Sequence, residues 1–187
     1  MKTWNFGIVG AGSIADFHAR AIQNLSNSRL AGICGTNPDK VKKLADKYFC
    51  MIFDNVSEMV RSPLVDIIVI ATPSGAHMEP ALEAAKHGKH VICEKPLEVT
   101  LERADRMIEA HKKAGTRLGG IFNYRYNDAV RVLKVAADSE RFGTITSASV
   151  YVPWWRSDEY YDSSSWKGTW ALDGGGALMN QSVHMID

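Results

Sequence analysis

The feature that most constrains this chain is a glycine-rich turn at residues 10–15, Gly-Ala-Gly-Ser-Ile-Ala, between an apolar segment and a helical pattern. Gly10 allows a tight turn out of the preceding strand, and Gly12 lets a ligand approach the backbone closely. Ser13 and Ile14 then open a helix whose free N–H groups and positive dipole end attract an anion. The turn therefore predicts a dinucleotide pyrophosphate site, with a plain strand–helix turn as the alternative.

Short apolar runs alternate with helical patterns along most of the chain. Residues 65–71, Val-Asp-Ile-Ile-Val-Ile-Ala, are nearly continuous in apolar character, which suits a parallel strand covered on both faces. Repeated βα units with right-handed crossovers build a doubly wound parallel sheet. The predicted fold class is α/β, with a Rossmann domain over residues 1–122 and an incomplete α+β domain over 123–187. Strands are expected near residues 4–9, 29–34, 51–53, 65–71, 90–93 and 118–122, and helices near 13–25, 38–48, 77–87 and 100–115.

The pattern changes after residue 122. A helix is expected over residues 128–138, and residues 144–155 alternate polar and apolar side chains as a strand does. A turn at residues 174–176, Gly-Gly-Gly, then opens another helical pattern that runs to Asp187.

Composition excludes several function classes. The 187 residues carry a net charge of +1, which argues against a nucleic-acid-binding surface. No apolar run approaches the roughly 20 residues of a membrane helix, and the N-terminus lacks the apolar segment of a signal peptide. Cys34, Cys50 and Cys93 have neither metal-ligand nor disulfide spacing. We therefore expect no metal, reduced thiols and a cytoplasmic location.

The loops that follow the strands are where a ligand is expected, because ligands of such sheets bind beyond the carboxyl ends of the strands. Lys95 follows the strand at residues 90–93, and Pro96 restricts its backbone to extended geometry. Near a positively charged nicotinamide, a lysine loses its proton more easily and can exchange it with a hydroxyl. The alternative is a surface lysine paired with Glu94.

A second group of polar residues lies near the end of the chain. In a helix, Asn180, His184 and Asp187 share one face at positions i, i+4 and i+7. Histidine suits proton transfer near neutral pH, Asn180 can hydrogen-bond a hydroxyl, and Asp187 can orient the imidazole. The alternative is a core histidine. Among the other histidines, His77 is expected to have a structural role, and the rest are expected on helix surfaces or strands: His18, His87, His90 and His111.

Four segments together resemble the Gfo/Idh/MocA oxidoreductases, the group that includes glucose–fructose oxidoreductase and inositol dehydrogenase. They are GAGSIA at residues 10–15, ATPSGAH at 71–77, GKHVICEKPL at 88–97 and GGGALMNQSVH at 174–184. The resemblance implies reversible oxidation of a secondary alcohol on a sugar, polyol or related compound by a nicotinamide cofactor. Members of the family also continue well beyond position 187.

The resemblance also implies residue roles. Lys95 matches the lysine of the family's Glu-Lys-Pro segment, and His184 matches its catalytic histidine. Asn180 stands where many members carry an acid, which leaves His184 and Lys95 to share the proton transfer. The predicted catalytic residues are Lys95, His184 and Asn180. A non-catalytic dinucleotide-binding sensor remains open as an alternative.

The loop after the second strand bears on the choice of cofactor. An acid there would bind the ribose hydroxyls and favour NAD, but Gly35 stands at that place. Thr36, Asn37 and Lys40 can contact a 2′-phosphate, which favours NADP over NAD and leaves NAD or the use of both cofactors open. The alternative is that Thr36 and Asn37 only cap the helix. The other predicted cofactor contacts are Gly10, Gly12, Ser13, Ile14, Thr72, Pro73, His77, Glu94 and Lys95.

Aromatic residues are concentrated after residue 122. Flat apolar rings stack on sugars, but they equally form subunit interfaces. The predicted substrate contacts are Lys95, Tyr124, Arg125, Trp166, Asn180 and His184. We also expect a small-molecule sugar or polyol as substrate and a homo-oligomer formed through the second domain.

Overall fold

A six-stranded parallel sheet forms the centre of the computed structural model, which describes residues 2–187. The strand order is β3-β2-β1-β4-β5-β6, so the chain starts in the middle, moves to one edge and then crosses to the other. This is the predicted doubly wound arrangement, and its crossing point lies between β1 and β4. The strands are β1 (Trp4–Val9), β2 (Ser28–Cys34), β3 (Met51–Ile52), β4 (Ile67–Ile70), β5 (His90–Cys93) and β6 (Leu118–Gly120).

Eight helices connect or follow the strands within the described residues: α1 (Ser13–Gln23), α2 (Pro38–Tyr48), α3 (Val56–Arg61), α4 (Met78–Lys86), α5 (Leu101–Ala114), α6 (Asp128–Asp138), α7 (Asp158–Asp162) and α8 (Val183–Ile186). The sequence patterns did not predict α3 and α7. Two 3₁₀ turns, Ser74–Ala76 and Asn123–Tyr126, and one π-helical turn, Leu178–Ser182, complete the structure.

Local sequence explains where the longer helices begin and end. Asn37 caps α2 by accepting a hydrogen bond from the Lys40 N–H at 3.0 Å, and Pro38 occupies the first helical position. Thr100 caps α5 by accepting from the Arg103 N–H at 3.3 Å. Gly115, with φ +68°, then ends α5 in the left-handed conformation.

Both faces of the sheet are buried. Ile8 and Ile33 pack with Ala15 of α1 on one face, whereas Val9 and Ile68 pack with Met107 of α5 on the other. Alternate residues of a strand point to opposite faces, so the continuous apolar runs of β1 and β4 supply both cores.

The expected strand over residues 144–155 is wrong. The segment has no regular secondary structure, and most of its residues are exposed. An extended segment becomes a strand only when a neighbour satisfies its N–H and C=O groups, and no segment among residues 2–187 pairs with it. No helix among these residues is long and apolar enough to cross a membrane.

Candidate active site

The two glycines of the turn after β1 differ in their surroundings. Gly10 has φ +108°, and a Cβ there would lie 2.5 Å from the Ala71 carbonyl oxygen at the end of β4, so this position needs glycine for the fold. Gly12 has extended backbone, and a Cβ there would meet nothing within 4 Å. The open space at Gly12 is what a closely approaching pyrophosphate requires.

The N-terminus of α1 begins at this turn. Gly12 is its N-cap residue, no side chain caps the helix, and Ser13 and Ile14 are exposed. The first-turn N–H groups and the helix dipole therefore remain available for an anion. These residues fit the pyrophosphate of a dinucleotide.

Thr36 and Asn37 in the loop after β2 and Lys40 in the first turn of α2 are all exposed at the same edge of the sheet. The Asn37 side-chain oxygen already accepts the Lys40 N–H as the cap of α2. The structure therefore gives Asn37 the structural role that the sequence had left as an alternative.

His77 ties together two loops at the ligand edge. Its Nε2 lies 3.0 Å from the Thr72 carbonyl oxygen, and its Nδ1 lies 3.0 Å from the Pro96 carbonyl oxygen. The ring is 1% exposed, and Pro73 between these groups leads into the 3₁₀ turn at Ser74–Ala76. His77 therefore fixes the loop that carries Lys95, in keeping with its expected structural role.

Lys95 points at the segment that carries Asn180. Its Nζ donates to the Asn180 carbonyl oxygen at 2.7 Å and approaches the Asn180 Oδ1 at 3.4 Å. Burial lowers the pKa of the Lys95 ammonium, while the charges of Glu94 and Asp173 act in the opposite direction. The lysine is therefore half-buried, held by oxygen acceptors and easier to deprotonate than a surface lysine.

Glu94 is buried and is not the surface partner of Lys95. Its Oε1 lies 2.7 Å from His18 Nε2 on α1, and its Oε2 accepts the Lys95 N–H at 3.2 Å. The expectation that His18 lies on a helix surface is wrong, because α1 turns this residue toward the loop after β5. The expectation that His111 lies on a helix surface is also wrong. This residue is 1% exposed and hydrogen-bonds the Thr116 hydroxyl at 2.7 Å.

His184 stacks on Tyr124, with ring centroids 5.2 Å apart and planes inclined by 23°. Its Nδ1 is buried and has no hydrogen-bond partner among the described residues. Burial and the nearby charge of Lys95 lower the pKa of the imidazole, against smaller opposing effects of Glu94 and Asp187. A half-buried imidazole with a lowered pKa, next to an ammonium, is equipped to accept a proton.

The expected role of Asp187 as the group that orients this imidazole is wrong. Asp187 instead forms a two-pronged ion pair with Arg125, whose Nε and Nη2 lie 2.7 and 2.5 Å from its carboxylate oxygens. The helical spacing assumed for Asn180, His184 and Asp187 also fails, because Leu178–Ser182 is a π-helical turn. A π turn holds more residues than an α turn and changes which side chains align.

Three further predicted residues, Tyr124, Arg125 and Trp166, concern the substrate side of the site. Tyr124 stacks on the His184 ring, and Arg125 forms an ion pair with Asp187, three residues after His184. Trp166 is half-buried, and its carbonyl oxygen accepts the Thr169 hydroxyl at 2.7 Å. Within the described residues, Trp166 makes no hydrogen bond or ring contact with Lys95 or His184.

Sequence reasoning missed a buried acid beside Asn180. Asp173 is 1% exposed and accepts a hydrogen bond from the side-chain amide of Asn180. The available signal was its place directly before the turn at residues 174–176, which leads into the segment carrying Asn180 and His184.

Comparison with protein families identifies what this arrangement is similar to. The Gfo/Idh/MocA model described as an oxidoreductase family with an NAD-binding Rossmann fold matches residues 4–122. A Gfo/Idh/MocA C-terminal domain model matches residues 130–187. The chain belongs to the Gfo/Idh/MocA oxidoreductase family.

Several members of this family resemble the chain along most of its length. The WlbA dehydrogenase from Bordetella pertussis, solved with NADH and UDP-GlcNAcA, is 38% identical with a TM-score of 0.95, over 99% of this chain and 54% of that one. Glucose-6-phosphate 3-dehydrogenase of Bacillus subtilis is 30% identical over 97% of this chain and 51% of its own length. Myo-inositol 2-dehydrogenase of Thermotoga maritima is 31% identical over 73% of this chain and 41% of its own length. The chain thus spans about half the length of the first two relatives.

Proposed function

We propose that the protein carrying this chain is an NAD-dependent dehydrogenase that oxidises a secondary alcohol of a nucleotide-linked sugar. The observation that carries the proposal is the meeting of Lys95, Asn180 and His184 at the same sheet edge as the glycine turn. The bound NADH and UDP-GlcNAcA of the WlbA dehydrogenase support both the cofactor and the substrate class. Inositol and glucose 6-phosphate dehydrogenases among the relatives support alcohol oxidation more generally.

In this proposal, His184 accepts the proton of the substrate hydroxyl. The lowered pKa of its imidazole keeps the ring neutral and ready to accept a proton. Tyr124, stacked on the ring, holds its orientation in place of a carboxylate. NAD, when bound, supplies the acceptor for the hydrogen and electron pair that leave the carbinol carbon.

Lys95 positions the substrate oxygen and stabilises the negative charge that develops on it. Its ammonium is half-buried, where electrostatic interactions are stronger than in water. The carbonyl oxygen and Oδ1 of Asn180 engage two of its three N–H groups, so the third remains for the substrate. Positioning of this kind fits a lysine held by its loop, by Glu94 and by Asn180.

We propose NAD as the cofactor in place of NADP. Asn37 is committed to the cap of α2, and the related WlbA structure holds NADH. Thr36 and Lys40 remain the residues that would contact a 2′-phosphate. Titration with NADH and NADPH tests the choice: tighter binding of NADH supports it, and tighter binding of NADPH contradicts it.

We also propose that the protein is a cytoplasmic homo-oligomer that assembles through its second domain. Exposed apolar side chains on α6, including Val132, Leu133 and Val135, support an association surface. Free thiols at Cys34, Cys50 and Cys93 support a reducing compartment. Sedimentation tests the assembly: a mass above one subunit supports it, and a monomer at all concentrations contradicts it.

The function is tested by nicotinamide absorbance in the complete protein. The panel consists of NAD with UDP-GlcNAcA, myo-inositol and glucose 6-phosphate. NADH formation with the nucleotide sugar, faster than with the other two, supports the proposal. Binding of NAD without turnover of any of them contradicts it and favours a dinucleotide-binding sensor.

A further inference from the structure

Asp173 is a fully buried acid whose two carboxylate oxygens have different partners. One oxygen accepts the Gly168 N–H at 2.8 Å, and the other accepts the side-chain amide of Asn180. A carboxylate that is 1% exposed is stable only when such hydrogen bonds replace its hydration. Neither partner is charged, so its negative charge is not neutralised by a direct ion pair.

The segment carrying Asp173 is fixed against the first domain. The Gly75 N–H donates to the Leu172 carbonyl oxygen at 3.0 Å, and a Cβ on Gly75 would lie 2.1 Å from the Ala171 carbonyl oxygen. Gly174, with φ +86°, then turns the chain directly after Asp173. The carboxylate is therefore held in place at the ligand edge of the sheet by backbone contacts on both sides.

The Asp173 contact determines how Asn180 presents its amide. An ionised carboxylate only accepts hydrogen bonds, so the NH₂ group of Asn180 must face Asp173 and its Oδ1 must face away. That Oδ1 lies 3.4 Å from Lys95 Nζ, and the Asn180 carbonyl oxygen lies 2.7 Å from the same atom. The side-chain oxygen of Asn180 thus faces the ammonium because the NH₂ group is held by an acid, and it adds to the contact that the backbone carbonyl already makes.

We propose that Asp173 is a positioning residue for Lys95, acting through the Asn180 amide. Asn180 stands where many members of the family carry an acid. Asp173 supplies the missing negative charge indirectly, through its hydrogen bond with the Asn180 side chain. The role in catalysis rests on the proposed function, whereas the hold on Lys95 does not. Other charges near Lys95 are Glu94, with its partner His18, and His184 on α8.

The test measures the reactivity of Lys95 in the intact protein without cofactor or substrate. Competitive acetylation followed by mass spectrometry gives the rate at each lysine as a function of pH. The midpoint of each profile reports the charge state, and its plateau reports accessibility. We expect Asp173→Asn to lower the Lys95 midpoint by about one pH unit, because a nearby negative charge favours the ammonium. Lys42, exposed and paired with Asp46, is the internal control and should not change.

A charge-swapped double variant makes the test specific. In Asp173→Asn/Asn180→Asp the amide and the carboxylate exchange places, and the acid lies directly against Lys95. We expect its Lys95 midpoint to return to the wild-type value or above, and the kcat lost in Asp173→Asn to recover in part. A merely structural role for Asp173 would not predict this reversal.

The proposal is overturned if folded Asp173→Asn keeps the wild-type midpoint, or if the double variant stays as low as the single one. If Asp173→Asn does not fold, Asn180→Ala decides, since it keeps the Asp173–Gly168 bond but removes the bridge. In that variant the Asp173 charge stays but Lys95 loses the Asn180 Oδ1 as an acceptor, so the Lys95 plateau should rise with little change in midpoint. An unchanged plateau would refute the proposal. If Lys95 reactivity depends on Asp173 as expected but the wild-type protein turns over no substrate, only the proposed function is rejected.

Discussion

Lys95 Nζ donates a hydrogen bond to the carbonyl oxygen of Asn180 at 2.7 Å, across 85 residues of sequence. The bond joins the loop after β5 to the π-helical turn at Leu178–Ser182. π turns frequently occur at functional sites, because the extra residue redirects neighbouring side chains and carbonyls. The site is therefore assembled between two parts of the chain, and substitutions in either part should affect Lys95.

Gly12→Val should abolish tight cofactor binding without affecting the fold. Gly12 has extended backbone that any residue adopts, and its Cβ position is open, so the new side chain fills only the space proposed for pyrophosphate. We expect the Kd for NADH to rise about a hundredfold, which corresponds to roughly 2.7 kcal/mol. Calorimetric titration measures it, and an unchanged Kd would refute a pyrophosphate site at this turn.

Gly10→Val is the matched contrast, because it should damage stability instead. Its φ of +108° is strained for valine, and the Cβ would approach the Ala71 carbonyl oxygen to 2.5 Å. We expect the free energy of unfolding to fall by about 3 kcal/mol or more from strain and collision. Urea unfolding distinguishes the two glycines, and equal stability of both variants would contradict their separate roles.

The pH dependence of turnover should report the depressed pKa of His184. Burial and the Lys95 charge lower this pKa below its ordinary value of 6.5, and the imidazole accepts a proton only when it is neutral. The acidic limb of kcat/KM should therefore have its midpoint below pH 6.5, so activity persists as the pH falls through that value. His184→Asn should remove this limb along with most activity. A wild-type midpoint above pH 6.5 would count against the assignment.

Glu98 should make stability sensitive to acid. Its side chain is fully buried; burial raises the pKa, but hydrogen bonds from Arg103 and the Val99 and Met78 N–H groups outweigh this and hold it below 4.5. A lowered pKa means that its stabilising contribution is present above about pH 4.5 and is lost as the pH falls through the folded-state value. Glu98→Gln should therefore cost about 2 kcal/mol at neutral pH.

Urea unfolding at a series of pH values measures this difference between wild type and Glu98→Gln. The difference should shrink as the pH drops below 4.5. Asp46→Asn, which removes an exposed partner of Lys42, is the control and should leave stability almost unchanged. A pH-independent difference for Glu98→Gln would show that the Glu98 charge is not the source of the stability.

Much of the first domain could be predicted from sequence, because its signals are local. Buried parallel strands need continuous apolar runs, and β4 and β5 lie where those runs are. The turn at residues 10–15 and the caps at Asn37 and Thr100 also depend only on neighbouring residues. Helix α3, six residues long, was missed because so short a segment carries little periodic signal.

The rest depends on contacts that no local pattern contains. Asp173 reaches Asn180, and Arg125 captures Asp187, because the folded chain brings distant segments together. The π turn changed the alignment that an α-helical spacing assumes for His184. Residues 144–155 have the alternation of a strand, but alternation cannot supply the neighbouring strand that the hydrogen bonds require.

Turnover of Lys95→Ala in the complete protein tests whether Lys95 acts on the reacting alcohol. Nicotinamide absorbance with the best substrate of the panel gives kcat/KM, and titration gives the Kd for NADH in the same preparation. We expect a loss in kcat/KM of roughly a hundredfold to ten-thousandfold, with NADH binding retained and Lys42→Ala unaffected. Wild-type kcat/KM in Lys95→Ala would contradict this role of Lys95.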